Sequence, residues 1–285
     1  MLRISELYIY PVKSLGGIAL DTALVTDRGF EHDRRWLLID DSNVQLTQRE
    51  FPAMALLRPQ LTPDGLLITH TPASTRLHAP DSTRLRITHP PDNTQLLIPY
   101  KPVTGAFTEV QCWDDTVRAQ FVDPQADAWF SNILQTNCRL VYMPDESKRQ
   151  TDLKYTEKGH ITSFADGYPF LLIGQASLDE LNSRLEQPLP MNRFRPNIVF
   201  TGGEPFQEDR LHDFCIGAIR FTGVKLCARC VMTTINQQTA QKGKEPLRTL
   251  AAYRARDKKI LFGQNLIHHN LGHLSIGDEL IPIDN

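Results

Sequence analysis

Along the first 120 or so residues, short runs of apolar and β-branched positions are broken at close intervals by Gly, Pro, Asn and Asp. Runs of that length between turn formers predict strands, here over Leu7 to Val12, Arg35 to Ile39, Leu85 to Thr88 and Gln95 to Pro99. Pro63-Asp64-Gly65 has the makings of a hairpin turn. The Pro-, Thr-, Ser- and Asp-rich stretch from Pro59 to Pro91 reads as strand connections rather than as a linker. Residues 1–122 are therefore expected to form a small β-barrel or meander.

The period then lengthens. Asp123 is placed to cap a helix, Pro124 suits its first turn, and Ala126, Trp129, Phe130, Ile133 and Leu134 share one face at helical spacing. Cys138 to Met143 reads as a strand, and the mixed-charge run from Asp145 to Lys158 as a mobile connection. A second helix is expected to start at Ser177, because Ser177-Leu178-Asp179-Glu180 has capping-box spacing and Leu178, Leu181 and Leu185 form an apolar face. From Asn197 onward strands dominate again: Asn197 to Phe200, Ala218 to Phe221, Val231 to Ile235, Lys259 to Phe262 and Leu274 to Ile283. The fold class is mainly β (α+β) with a few helices, divided into 1–122 and 123–285.

Composition narrows the function classes. The 285 residues are 41% hydrophobic and 22% charged, which suits a folded chain with a large core, and the formal net charge of -2 provides no excess of cations for a polyphosphate backbone. No nucleic-acid polymer is expected as partner. Met1 to Leu7 runs straight into a strand-like stretch without a signal-peptide pattern, and no apolar run reaches the roughly 18 residues of a membrane span. A cytoplasmic location with reduced thiols and no membrane partner is the expectation. Five cysteines (Cys112, Cys138, Cys215, Cys227 and Cys230) at irregular spacing do not form a disulfide framework.

The sharpest chemical feature is Cys227-Ala228-Arg229-Cys230. A neighbouring cation favours thiolate, the form that binds soft metals and attacks electrophiles. Alternatives stand beside that reading. Structural zinc would want two further ligands at comparable spacing, a redox dithiol would want a helix after the pair, and two buried inert cysteines need no function. Three other polar clusters sit at strand ends: Tyr10-Pro11-Val12-Lys13-Ser14, Asp33-Arg34-Arg35-Trp36 and Arg193-Phe194-Arg195-Pro196-Asn197. Each alone reads most simply as a solvated or salt-bridged face, but guanidinium is also the group suited to holding phosphate or a planar heterocycle.

Together with Ser163-Phe164-Ala165-Asp166-Gly167-Tyr168-Pro169, Glu245-Pro246-Leu247-x-Thr249-Leu250 and Phe262-Gly263-Gln264-Asn265, these motifs occur in an order that resembles the MOSC-domain family of bacterial YcbX proteins and animal mitochondrial amidoxime reducing components. The resemblance runs from about Leu7 to about Leu280. It implies an N-terminal MOSC β-barrel domain followed by a MOSC domain with its motif core at about 160–283, holding molybdenum-molybdopterin (Moco) between them. Cys230 matches the family's metal ligand. Lys13, Ser14 and Arg34 match contacts to the pterin and its phosphate, and Arg195 and Asn197 match contacts from the second domain. Asp166, Gly167 and Tyr168 fall in a further cofactor segment, with Arg229 beside the ligand cysteine.

The implied activity is reduction of small N-oxygenated substrates: hydroxylamines, N-hydroxylated bases and amidoximes. Cys230 and Asp166 are the catalytic candidates, and Asp166 or a nearby His would deliver protons. Pyridoxal phosphate binding also attaches to the resemblance at family level. Two departures matter. Members often read Cys-Ser-Arg-Cys where this chain has Ala228, so a hydroxyl contact from that position is lost. Some members continue into a ferredoxin domain, whereas the four-cysteine set of an iron–sulfur cluster is absent here, so electrons are expected from a separate flavin or iron–sulfur protein. Competing expectations are a sulfur-carrier or cofactor-handling protein using a Cys230 persulfide, and a non-catalytic MOSC binding module.

Overall fold

The computed structural model describes residues 1–72 and 94–283. Seven strands form a closed barrel, labelled here β1 (Leu2–Ile9), β2 (Phe170–Gly174), β3 (Ile198–Thr201), β4 (Asp213–Ile216), β5 (Ile219–Ala228), β6 (Lys259–His268) and β7 (Glu279–Pro282). Their order is β2-β3-β1-β7-β4-β5-β6, and β6 returns to β2 through pairs such as Phe170 with Leu266. β2 and β3 run parallel; the other barrel pairs are antiparallel. Closure leaves no unpaired edge to template aggregation.

β1 shows how sequence sets the wall. Leu2 and Ile4 are buried with Arg3 exposed between them, and an irregularity between Ile4 and Glu6 shifts the register so that Leu7 and Ile9 are buried in turn. These residues pack with Phe30, Phe170, Phe200, Phe214 and Phe221 in one apolar cluster. Phe170 meets Phe30 at 4.9 Å and Phe221 at 5.5 Å edge to face, the arrangement that ring quadrupoles favour.

The N-terminal half adds a four-stranded sheet, ordered Trp36–Ile39, Arg139–Tyr142, Asp115–Phe121, Phe107–Cys112, and a three-stranded sheet of Leu57–Thr62, Gly65–His70 and Gln95–Ile98. Pro63 and Asp64 form the two-residue turn expected there, with Thr62 paired to Gly65. Glycine is required at that corner: φ is +152°, and a Cβ would sit 2.4 Å from the Ile98 carbonyl oxygen. The strand expected at Leu85 to Thr88 lies outside the described residues.

Helix α1 (Pro124–Leu134) begins as its sequence requires, Asp123 accepting the Gln125 N–H at 2.8 Å. It lays Ala126, Trp129, Phe130 and Leu134 against Trp36, Leu38 and Leu140, so α1 and the strand Arg139–Tyr142 pack with the N-terminal sheets. With three α-helices among the described residues, the mainly β expectation holds.

Three local expectations are corrected and one helix is added. Helix α2 (Gln175–Asn182) starts before Ser177, whose hydroxyl is buried, donating to Glu208 at 2.8 Å and accepting the Phe206 N–H at 2.7 Å; it has no freedom to cap. Val231–Thr234 is a 3-10 turn rather than a strand. Helix α3 (Leu247–Tyr253) follows Pro246 and was not expected. The polar run after Asp145 is braced, not loose: Arg28 donates to the carbonyls of Pro144, Asp145 and Ser147, and buried Arg149 donates to Asp115, Ser163 and Ala165.

Candidate functional site

Six chain segments converge on one cleft: the turn after β1, the turn at Arg34, the run before β2, the run before β3, the end of β5 with the turn that follows it, and Asn265 of β6. All ten residues singled out as candidate site residues line it, from Lys13 and Ser14 through Asp166 to Cys230. Three of them, Ser14 (φ 69°), Arg34 (φ 49°) and Arg195 (φ 55°), adopt the left-handed backbone region that non-glycine residues avoid. Such strain costs about 1–3 kcal/mol per residue and is retained where the surroundings over-determine the geometry, commonly at ligand sites.

Tyr10, which pattern alone did not single out, organises the arginines. Its ring carries the Arg34 guanidinium at 4.3 Å and the Arg195 guanidinium at 4.1 Å. Its N–H donates to Asp33 at 2.7 Å, and its hydroxyl donates to the Pro196 carbonyl at 3.0 Å. Burial raises the Tyr10 hydroxyl to about 12 against the lowering pull of the two arginines, so it stays protonated. Arg34 is held by Asp33 and by the Asn197 side-chain oxygen at 3.1 Å. Asn197 also donates to the Tyr8 carbonyl and accepts from the Leu171 N–H, so it acts here by fixing Arg34. Arg195 donates to the Leu15 carbonyl at 2.6 Å; burial lowers its pKa to about 10, which leaves it charged at neutral pH.

Lys13 is almost fully buried, donating to the Phe164 carbonyl at 2.7 Å and to Asp166 at 2.8 Å. Trp113, also missed from the sequence, donates its indole N–H to Asp166 at 3.2 Å. Asp166 is crowded by the cleft walls, yet 75% of its side chain faces open solvent. Crowding pushes its pKa up, but Lys13 outweighs that and holds the carboxyl well below the usual carboxylate range. An ionised carboxylate of this kind is a poor proton donor near neutral pH. At Gly167 an added Cβ would meet nothing, so space does not require glycine there.

Cys227 and Cys230 are both free and only half-buried, which sets aside the reading of two inert core cysteines. The Arg229 guanidinium reaches the Cys227 sulfur at 3.0 Å and the Phe194 carbonyl at 2.6 Å, so the neighbouring cation serves Cys227 rather than Cys230. Cys230 sits at the head of the Val231–Thr234 turn, its carbonyl accepting from the Thr233 N–H and hydroxyl.

Of the charged residues lining the cleft, five are cations (Lys13, Arg34, Arg193, Arg195, Arg229) and one is a carboxylate, Asp166. The hydroxyl of Tyr168 and Nε of Arg229 are buried without hydrogen-bond partners, a state that costs free energy unless a ligand supplies acceptors. Among the described residues no group of three or more His, Cys, Asp or Glu is placed to hold a metal ion. A metal at Cys230 would thus have to bring most of its own ligands, as a dithiolene cofactor does. The donor set fits an anionic pterin cofactor with a single protein thiolate. The cleft encloses about 90 Å³ of free volume.

The chain matches the family described as MOSC N-terminal beta barrel domain over residues 1–137 and the one described as MOSC domain over residues 159–281. It belongs to the MOSC-domain family. Among curated relatives, this MOSC protein is 32% identical to mitochondrial amidoxime-reducing component 1 of Mus musculus, over 96% of this chain and 80% of that protein, and 32% identical to its Homo sapiens counterpart, over 96% and 81%. It is also 32% identical to a molybdenum cofactor sulfurase of Oryza sativa subsp. japonica, over 92% of this chain and 32% of that protein. These matches support a molybdenum-cofactor-related role. They do not bear out pyridoxal phosphate binding or the expected cytoplasmic location, and the amidoxime-reducing relatives are by name mitochondrial. No helix among the described residues is long and apolar enough to cross a membrane.

Proposed function

We propose that this MOSC protein is a molybdenum-cofactor-dependent reductase of N-oxygenated compounds: hydroxylamines, N-hydroxylated bases and amidoximes. The observation that carries it is the free, half-buried Cys230 thiol on the wall of a cleft whose charged residues are five cations against one carboxylate. Lys13, Ser14, Arg34 and Arg195 would hold the cofactor's phosphate and pterin, with Asn197 fixing Arg34. The Asp166–Tyr168 segment would border the pterin, and Arg229 would offer its unpartnered Nε. Cys230 would be the one protein ligand to the metal.

When bound, the cofactor supplies two-electron removal of oxygen from nitrogen; an N-hydroxylated substrate, two electrons and two protons give the amine and water. A separate flavin or iron–sulfur protein returns the electrons. Asp166 would act by holding Lys13 toward the anionic ligand, and the protons would arrive from solvent at the open side of the cleft. The packing of α1 and of Arg139–Tyr142 favours a seam between the two domains after Met143 rather than at residue 122.

The rice sulfurase match favours a second reading, in which Cys230 carries a persulfide. Expression in a host competent for cofactor synthesis separates the two. Stoichiometric molybdenum and pterin in the wild type, little in Cys230→Ala, and turnover of N-hydroxylated substrates with a chemical reductant support the reductase. A metal-free wild type bearing a persulfide on Cys230 would replace it with the carrier.

A further inference from the structure

Beside the cofactor cleft lies a second cavity of about 390 Å³, and Arg193 lines both. Thr233 lines the cleft and Thr234 the cavity. Both belong to the 3-10 turn that follows Cys230, so one short turn separates the cavity wall from the residue that carries the thiol.

Cations outnumber carboxylates on its lining, five (Arg184, Arg193, Lys242, Lys244 and Arg248) against two (Glu186 and Glu245). Arg193 is 6% exposed, and its hydrogen bonds go to two backbone carbonyls, Thr233 at 2.8 Å and Glu245 at 3.2 Å. Its Nη1 bonds no protein acceptor among the described residues, and no carboxylate pairs with it. A buried cation without a counter-charge is costly. Burial alone, with no compensating anion, lowers its pKa. Lys242 and Lys244, exposed on the same wall, likewise have no carboxylate partner among the described residues, Lys242 donating to the Arg49 carbonyl at 2.9 Å, whereas Arg184 is paired with Glu180 and Arg248 with Glu245. Three unpaired cations, one of them buried and presenting a free guanidinium edge, suit a dianion that accepts several hydrogen bonds.

We infer that this cavity binds a phosphate monoester carried by the substrate, so that the protein acts on N-hydroxylated nucleotides in preference to the corresponding nucleosides or free bases. The inference rests on the reductase reading for the chemistry at nitrogen, but the phosphate site stands or falls by binding alone. Arg193 holds the phosphate from the side of the cleft, and Lys242 and Lys244 neutralise it from the solvent side. The base then extends along the Val231–Thr234 turn toward Cys230.

The test uses the cofactor-loaded protein, wild type beside a Lys242→Ala/Lys244→Ala double variant, neither residue being part of the cleft. Calorimetric titration with cytidine 5′-monophosphate, cytidine and inorganic phosphate is expected to show the monophosphate at least tenfold tighter than cytidine. That advantage should shrink as salt rises and be lost in the double variant; inorganic phosphate should compete. In turnover, N4-hydroxycytidine 5′-monophosphate should exceed N4-hydroxycytidine at least tenfold in kcat/KM, chiefly through KM, and the double variant should erase the difference. Equal binding of monophosphate and nucleoside, or unchanged preference in the double variant, overturns the phosphate site. Phosphate-dependent binding with no turnover of either substrate leaves the site in place and removes the reductase reading.

Discussion

Replacing Glu208 by glutamine should flatten the pH dependence of stability on the alkaline side. The Glu208 carboxyl is fully buried beneath α2; one oxygen accepts from Ser177 at 2.8 Å, and the other has no partner. Burial raises its pKa from 4.5 to about 7, more than the Ser177 hydroxyl and nearby backbone N–H groups lower it. A raised folded-state pKa means that the folded protein binds the proton more tightly than the unfolded chain does. The contribution is therefore complete below about 4.5 and is lost as pH rises through about 7. At about 1.36 kcal/mol per tenfold in proton affinity, the full effect is about 3 kcal/mol, of which about 2.5 kcal/mol falls between pH 5 and pH 8. Urea unfolding of wild type and Glu208→Gln at several pH values isolates it, because other groups cancel in the difference. One such group is His268, which burial lowers to about 4 and whose contribution runs with the opposite sign. The gap between the two proteins should move toward the variant by about 2.5 kcal/mol from pH 5 to pH 8, a relative midpoint shift on the order of 1 M urea. Parallel profiles would refute the reasoning, whatever the offset between them.

Cys230→Ala should keep the fold, its circular dichroism and melting close to wild type, while molybdenum content falls; unchanged metal by mass spectrometry would move the ligand elsewhere. Asp123→Ala should cost about 1 kcal/mol in denaturant unfolding through loss of the α1 cap, and Asp123→Asn much less. Gly65→Ala should destabilise by more than 1 kcal/mol, because its φ of +152° and the close Ile98 carbonyl both oppose a Cβ; a neutral result in thermal unfolding would mean that the hairpin shifts to accommodate it. Tyr10→Leu removes the ring shared by Arg34 and Arg195 and should lower pterin retention on gel filtration, with Tyr10→Phe intermediate because only the bond to Pro196 is lost.

What was legible in the sequence was local. Asp123 and Pro124 announce α1, and Pro63-Asp64-Gly65 its hairpin, since capping and turn chemistry act within a few residues. Ser177 misled for the same reason: a capping-box spacing cannot reveal that Glu208, 31 residues on, takes the hydroxyl. Val231 to Ile235 has strand-like composition, but Thr233 and Thr234 turn their hydroxyls back to Cys230 and Val231. At the candidate site, the clustered cations and the cysteine pair stood out. Tyr10 and Trp113 did not, because an aromatic ring reads as core until its neighbours in space are known. A signal for Trp113 was present in its position between Cys112 and Asp114, at the tight turn that joins two paired strands, where a large ring is held at the margin of the core.

The position of β1 between β3 and β7 bears on how the protein reaches its folded state. Residues 2 and 3 pair with residues 280 and 279, so one seam of the barrel joins the two extremes of the described chain. Contacts so distant in sequence form late, because the loop entropy they close must be lost before they return any stability. During synthesis the Lys13 turn is made before the Arg195 and Cys230 walls, and β1, paired locally with Ile18–Leu20, waits for β3 and β7. Closure of the barrel beside the cationic cleft is thereby tied to the arrival of β7: a protein clipped before residue 279 would leave the start of β1 as an open strand edge, and would engage chaperones before any ligand.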